Sequence, residues 1–380
     1  MTPLAHSLAR HVDEGDVPGL VALVAVAGDV DTVVLGHQHV GGPAMQADSL
    51  FRIASVSKQV TAAAVLALVA DGLIALADPV ADLLPELAAP LVLREPAGPL
   101  DDVVPASRAI TVADLLRSTN GHGLPSDTSV PIAAELFEHL HQGPPRPQEF
   151  PPPDEWMARL GQLPLVHQPG EGFTYNTPYD VLGILAERAT GRPFADYVAE
   201  RILDPLGMRD TGFTYPAAAG GRVTGLYRRD EAGHLGLVDD AGGQWASPPA
   251  FASGAGGMIS SAGDLLAFQR MLLAGGDPVL PRSLVAAMMS DQLTADVRAT
   301  NPTFLDGQSW GFGGSVDIAR RAPWNVPGRF GWVGGTGTSA YVVPADGSIA
   351  ILLMQVEISG PTEVGLLETF WRAAAERLGH

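Results

Sequence analysis

The chain has 380 residues, 46% of them hydrophobic and 17% charged, which is enough apolar material for a sizeable core and a poor fit to a disordered chain. A formal net charge of -19 with no basic run excludes the clustered Lys/Arg contacts that nucleic acid or an anionic membrane surface requires. There is no cysteine, so disulfides, thiolate metal sites and cysteine nucleophiles are excluded, and covalent chemistry falls to another residue type.

The opening MTPLAHSLARHVDEGDVPG is amphipathic over residues 2 to 14 and carries neither a basic n-region nor an apolar core. It does not read as a signal peptide, and a cytoplasmic location is the expectation. LVALVAVAGDVDTVVLG follows, two β-rich runs separated by Gly28-Asp29, the pattern of a hairpin. From Ser55 to about Asp71 the chain is apolar almost all round beyond Lys58, and Gly72 ends the run, so a buried helix is predicted. Its longest unbroken apolar stretch, Ala62 to Ala70, is too short to span a bilayer.

Between residues 81 and 245, helical patterns occur at TVADLLRS, PIAAELFEHLHQ, DEWMARLGQL, YDVLGILAERA and PFADYVAERIL. Loops rich in Pro and Gly separate them, and the Pro-dense GPPRPQEFPPPDE, residues 143 to 155, reads as an extended surface loop, with an active-site rim as the less favoured alternative. Near the far end TSAYVV, the turn PADG and SIAILLMQV form a second hairpin, followed by a helix from about Thr362 to Leu378. Isolated hairpins are marginal, so the economical fold is α/β (α+β): one antiparallel sheet built from both chain ends and flanked by terminal helices. Residues 1–80 and 246–380 then form a discontinuous sheet lobe and 81–245 an inserted, mostly helical lobe, with the site between them.

Lys58 is the single lysine among 23 Lys and Arg residues. It lies three positions after Ser55, on the same helical face, at a helix N-terminus whose free N–H groups stabilise a developing oxyanion. A serine needs a proton acceptor to become nucleophilic, and a buried lysine can lose its proton where arginine cannot. Taken alone, Ser55 reads more readily as a helix N-cap; the solitary lysine beside it, where a buried helix begins, is what points to chemistry.

With its flanks, LFRIASVSKQVTAAAVLALVADGLIALADPVADLLPEL resembles the serine β-lactamase and penicillin-binding-protein-like hydrolases. This group includes class C β-lactamases, D-alanyl-D-alanine carboxypeptidases and family VIII esterases. ITVADLLRSTNG, the stretch from PGEGFTYNTPYDVLG to MRDTGF, and SGAGGMISSAGDLLAFQRMLL resemble further segments of that family in the expected order. The resemblance implies a β-lactamase/transpeptidase-like fold and an acyl-enzyme on Ser55, with Lys58 and Tyr175 sharing the proton transfers. The family's asparagine two residues after the tyrosine is Thr177 here, while Asn176 comes one residue early, so either could hold the amide position. Trp332-Val333-Gly334 stands where the family has Lys-Thr-Gly or a variant. Tryptophan cannot supply the cation that meets a β-lactam or peptide carboxylate, and this leans to the esterase branch. The amides of Ser55 and Gly335 would form the oxyanion hole, and Trp332, Gly334 and His122 are expected at the substrate.

The reading is therefore a carboxylesterase-like serine hydrolase for small uncharged esters, its partners being small-molecule esters, amides or short peptides. An acyltransferase or a D-amino-acid peptide or β-lactam-processing enzyme of the same family is the alternative, and a non-catalytic binding module on the same fold is another. Ten histidines without metal-like spacing give no expectation of a metal, and no cofactor motif is present.

Overall fold

The two ends of the chain meet in one antiparallel sheet of a computed structural model that describes residues 2–358 and 365–380. Its strands are β1 (Gly19–Val26), β2 (Asp29–Gly36), β3 (Ser309–Trp310), β4 (Ser315–Val316), β5 (Phe330–Gly334), β6 (Thr338–Val343) and β7 (Ser348–Met354). In space they run β2-β1-β7-β6-β5-β4-β3. The central pair is in register with Leu23 opposite Ile351 and Leu20 opposite Met354. The first hairpin turns at Ala27-Gly28, one residue earlier than expected, because both central residues take positive φ, 51° and 87°, as the favoured two-residue turn demands. Asp29 and Asp31 lie on the edge strand β2, where charge discourages pairing with another chain.

Both faces of the sheet are covered, which is why β1 is buried along almost its whole length. Side chains alternate along β6. Ser339 and Tyr341 meet Trp371 of the last helix, Gly365–Leu378, whereas Thr338 donates to Ile53 O on the opposite side. The first helix, α1 (Pro3–Asp13), packs on that last helix. The expected start of the latter at Thr362 falls outside the described residues. On the other side lie α2 (Ser57–Ala70) and the helix Ala262–Leu273. Among the described residues no helix is long and apolar enough to cross a membrane.

The five expected helical stretches of the middle region are helices Val112–Leu116, Pro131–Leu140, Pro153–Leu160, Thr177–Thr190 and Phe194–Val198. Two short antiparallel strand pairs that the periodicity did not reveal flank them in sequence, Leu91–Leu93 with Val103–Pro105 and Leu226–Arg229 with Leu235–Asp239.

Helix α2 is apolar on every side, so each of its few polar side chains must find a partner inside the protein. Ser57 Oγ accepts from Met258 N, Thr61 donates to Gly254 O, and Gln59 bonds Ala340 O and Gln269. Helix α2 is thereby stitched to the segment 254–258 and to β6. Just upstream, Phe51 and Arg52 pair with Ser260 and Ile259. The buried Arg52 guanidinium is held by Asp239, by Thr224 O and over the Tyr215 and Trp245 rings. Removing one partner of a buried ion pair strands the other charge. Asp239→Ala should therefore lower unfolding free energy by about 3–5 kcal/mol, measured from urea midpoints, whereas exposed Asp102→Ala should leave the midpoint unchanged.

Candidate active site

A strained step in the chain presents Ser55. Ala54 has φ of 42°, a left-handed conformation that costs free energy for a residue with a Cβ, and a short turn, Ala54–Val56, joins it to α2. The neighbouring carbonyls are pinned from β6 and its turn, with Thr336 donating to Arg52 O and Thr338 to Ile53 O. Ser55 remains half-buried at the floor of a cleft of about 250 Å³.

Lys58 is fully buried one turn further on, and its Nζ donates to Ser55 Oγ at 2.9 Å, Asn176 Oδ1 at 2.7 Å and Ala255 O at 2.6 Å. Three acceptors match the three protons of an ammonium. Burial nevertheless pushes the amine down from 10.5 to about 7, opposed by the negative charge of Asp180. A neutral amine here keeps two donations, to Asn176 and Ala255, and turns its lone pair to Ser55 Oγ. Such an amine can take the serine proton.

Tyr175 lines the same cleft. Its hydroxyl accepts from Trp332 Nε1 at 2.6 Å, its ring stacks on Phe304 at 4.2 Å, and Lys58 Nζ lies 4.7 Å from its centroid. Burial pushes its hydroxyl up to about 12, with Ser55 and Trp332 pulling the other way through hydrogen bonds. It stays protonated at neutral pH and has a proton to donate.

Asn176 and Thr177 divide the amide question between them. Asn176 sits at φ 75°, ψ −68°, with Thr177 N bonded to Tyr175 O at 3.1 Å, the rare and strained three-residue turn. That turn swings the Asn176 side chain onto Lys58, while Thr177 is buried and donates to Gln142 Oε1. Of the remaining expected residues, Trp332 and Gly335 line the cleft together with Ser55. Gly334 does not line it; its backbone packs so closely on Ile53 O that a Cβ would come within 2.4 Å.

His122 also stays out of the cleft lining, contrary to expectation. It is 2% exposed, with Nε2 bonded to Leu163 O. Its loop lies underneath the tyrosine segment: Thr174 donates to His122 O and to Ser118 O, and Leu124 and Tyr175 exchange both backbone hydrogen bonds. Gly123, at φ 137°, passes so close to Tyr175 O that a Cβ would sit 2.6 Å away. The loop supports Tyr175 from below.

The Pro-dense stretch is a surface loop that also walls the cleft, with Gly143, Pro144, Pro145 and Phe150 lining it; it is not extended throughout, since Pro147–Glu149 form a short turn and a helix begins at Pro153. Leu124, Phe304, Val333 and Ile358 complete an apolar lining. No Lys or Arg side chain lines the cleft among the described residues, and its one carboxylate, Glu357, pairs with Arg228. Arg329, just before β5, is buried against Asp317 and over the Tyr341 ring. Sequence reasoning missed Gln142, Asp180, Ser253 and Ala255, which surround Lys58 and its partners; a buried Asp in an otherwise apolar helical pattern was the available signal.

The Beta-lactamase family profile matches residues 4–368. Protein Rv1367c of Mycobacterium tuberculosis is 39% identical over 84% of this chain and 81% of its own length. Esterase EstB of Burkholderia gladioli is 32% identical over 97% of this chain and 96% of its own. Among solved structures, EstCE1, described as a hydrolase with promiscuous acyltransferase activity, superposes with a TM-score of 0.78 at 22% identity, covering 98% of this chain and 97% of that one.

Burial of His122 makes a separate, measurable contribution. Desolvation pushes its imidazole down to about 4, whereas the unfolded side chain titrates near 6.5. Its contribution to stability is complete above that value and is lost as pH falls towards 4, because the unfolded chain binds the proton first. Between pH 7 and 4.5 the loss should be on the order of 2 kcal/mol, and urea midpoints of His122→Gln should show a correspondingly flatter pH dependence than the parent.

Proposed function

The chain belongs to the beta-lactamase family, and we propose that within this family of serine hydrolases it acts as a carboxylesterase, forming an acyl-enzyme on Ser55 from small uncharged esters. The observation that carries the proposal is a serine–lysine pair at 2.9 Å opening into an apolar cleft whose lining holds no Lys or Arg among the described residues. A carboxylate-bearing β-lactam or peptide would find no countercharge there, while an ester with an apolar acyl group would bury it against Leu124, Phe304 and Ile358. The 32% identity to a relative named as an esterase supports the same choice.

In the proposed cycle Lys58, neutral in part of the population near pH 7, accepts the Ser55 proton as Oγ attacks the ester carbonyl. The backbone amides of Ser55 and Gly335 hold the developing oxyanion. Tyr175 gives its proton to the departing alcohol and is resupplied from Lys58, now an ammonium. Water then enters, loses a proton to the same pair and releases the acid. Asn176 keeps the amine aimed at Ser55 throughout.

Mass spectrometry of the Ser55 peptide after incubation with esters, amides and a chromogenic β-lactam tests nucleophile and substrate class together. Acylation of Ser55 by short uncharged esters, with little or none by the β-lactam, is the expected outcome; acylation by the β-lactam alone would reject the esterase reading. Ser55→Ala should abolish hydrolysis of short p-nitrophenyl esters. Lys58→Arg keeps the charge but cannot accept a proton, and should cost about 10³-fold in kcat/KM with the fold intact by circular dichroism. For the parent, kcat/KM should rise through pH of about 7 as Lys58 loses its proton and fall away below it.

A further inference from the structure

A closed circuit of hydrogen bonds runs through Lys58. From Nζ one arm goes to Asn176 Oδ1, from Asn176 Nδ2 to Gln142 Oε1 at 2.9 Å, and from Gln142 Nε2 to Asp180 Oδ2 at 2.9 Å. The other arm goes from Nζ to Ala255 O, and the N–H of the same residue donates to Asp180 Oδ1 at 3.1 Å, which Ser253 Oγ also reaches at 2.6 Å. Asp180 is fully buried, and its carboxylate oxygens accept from Gln142 Nε2, Ser253 Oγ and the Ala255 N–H. It only accepts and an ammonium only donates, so the two charged ends fix which way round both intervening amides sit.

We propose that Asp180 is a positioning residue for acylation, holding Gln142 and the 253–255 backbone so that Asn176 Oδ1 and Ala255 O aim Lys58 Nζ at Ser55 Oγ. The inference rests on Ser55 being the nucleophile. Its physical content is the polarity of the circuit. In Asp180→Asn, an amide whose carbonyl stays on Ser253 and Ala255 turns its NH2 on Gln142 Nε2. Gln142 must then turn over, its own NH2 meets Asn176 Nδ2, and the disturbance ends with an NH2 group facing Lys58. Turned the other way, the new amide faces the Ala255 N–H instead, and the second arm fails. Adding Gln142→Glu restores an acceptor at each broken contact and returns one negative charge to the circuit.

Lost charge and lost aim have separate readouts. The carboxylate favours the Lys58 ammonium, so Asp180→Asn should move the acid limb of the rate profile to lower pH than the parent's. The other titratable groups around the pair stay in place. They are Tyr175, Tyr179 beside Asp180 on its own helix, Tyr341 on β6, and His141 and Glu357 in the cleft wall.

The test is the rate at which a fluorophosphonate labels Ser55, measured across pH with the full-length chain, alongside kcat and KM for a p-nitrophenyl ester. Asp180→Asn should label about 10²-fold more slowly at pH 8, mainly through kcat, with its acid limb displaced downward. Gln142→Glu/Asp180→Asn should recover most of the rate and return the limb towards the parent position. A single variant labelling within twofold of the parent on an unshifted profile overturns the proposal. So does a double variant that melts like the parent yet stays as slow as the single one. If Asp180→Asn does not fold, Gln142→Ala cuts the same arm, and parent-like labelling by that variant is equally fatal. A parent chain that takes no label at Ser55 would instead overturn the serine hydrolase mechanism itself.

Discussion

The three hydrogen bonds of the buried Lys58 Nζ set the terms for everything around them. An ammonium stranded without partners in a protein interior costs several kcal/mol, so three segments distant in sequence must converge on one nitrogen. Each arrives with a visible local accommodation. The serine turn carries Ala54 at φ 42°, the tyrosine segment carries Asn176 at φ 75°, and the third brings Gly254 so near Tyr179 O that a Cβ would lie 2.4 Å away. Strain of this kind persists only where its surroundings over-determine it. Here those surroundings are α2, which bonds 254–258 through Ser57 and Thr61, and β6 with its turn, which holds the carbonyls before Ser55.

Trp332 links the sheet to the chemistry. In place of a cation facing the cleft, β5 presents an indole that donates to the Tyr175 hydroxyl and meets Trp310 edge-on at 4.8 Å. One side chain therefore occupies the wall with an uncharged group and at the same time orients the tyrosine. Arg329, just before β5, is paired with Asp317. The proposed preference for a neutral acyl group over a carboxylate would have its origin in this wall.

The antiparallel sheet from both chain ends, its terminal helices and the buried helix after Ser55 were legible because each rests on local periodicity and composition. Ser55 and Lys58 were legible as neighbours because three residues along a helix is a local relation. Gln142 and Ala255 were not, since they reach Asn176 and Lys58 over sequence separations of 34 and 197 that no local pattern encodes. The choice between Asn176 and Thr177 turned on a backbone dihedral, and a one-residue shift in a motif says nothing about φ. The Pro-dense stretch was legible as a surface loop, but not as one that turns at 147–149, enters a helix at Pro153 and walls the cleft, because composition does not say what a loop packs beside. His122 was expected at the substrate for a related reason: membership of the STNGHG loop does not say which side of that loop faces the cleft.

The solitude of Lys58 gives the protein an unusual spectroscopic window. Isotope-labelled lysine supplied during expression enters this chain at a single position, so its ε-carbon or ε-nitrogen yields one side-chain resonance, free of overlap and needing no assignment. The charge state of a buried amine is ordinarily inferred from rates. Here it could be watched directly, in the resting protein and with an acyl group in place, by the chemical shift of one atom.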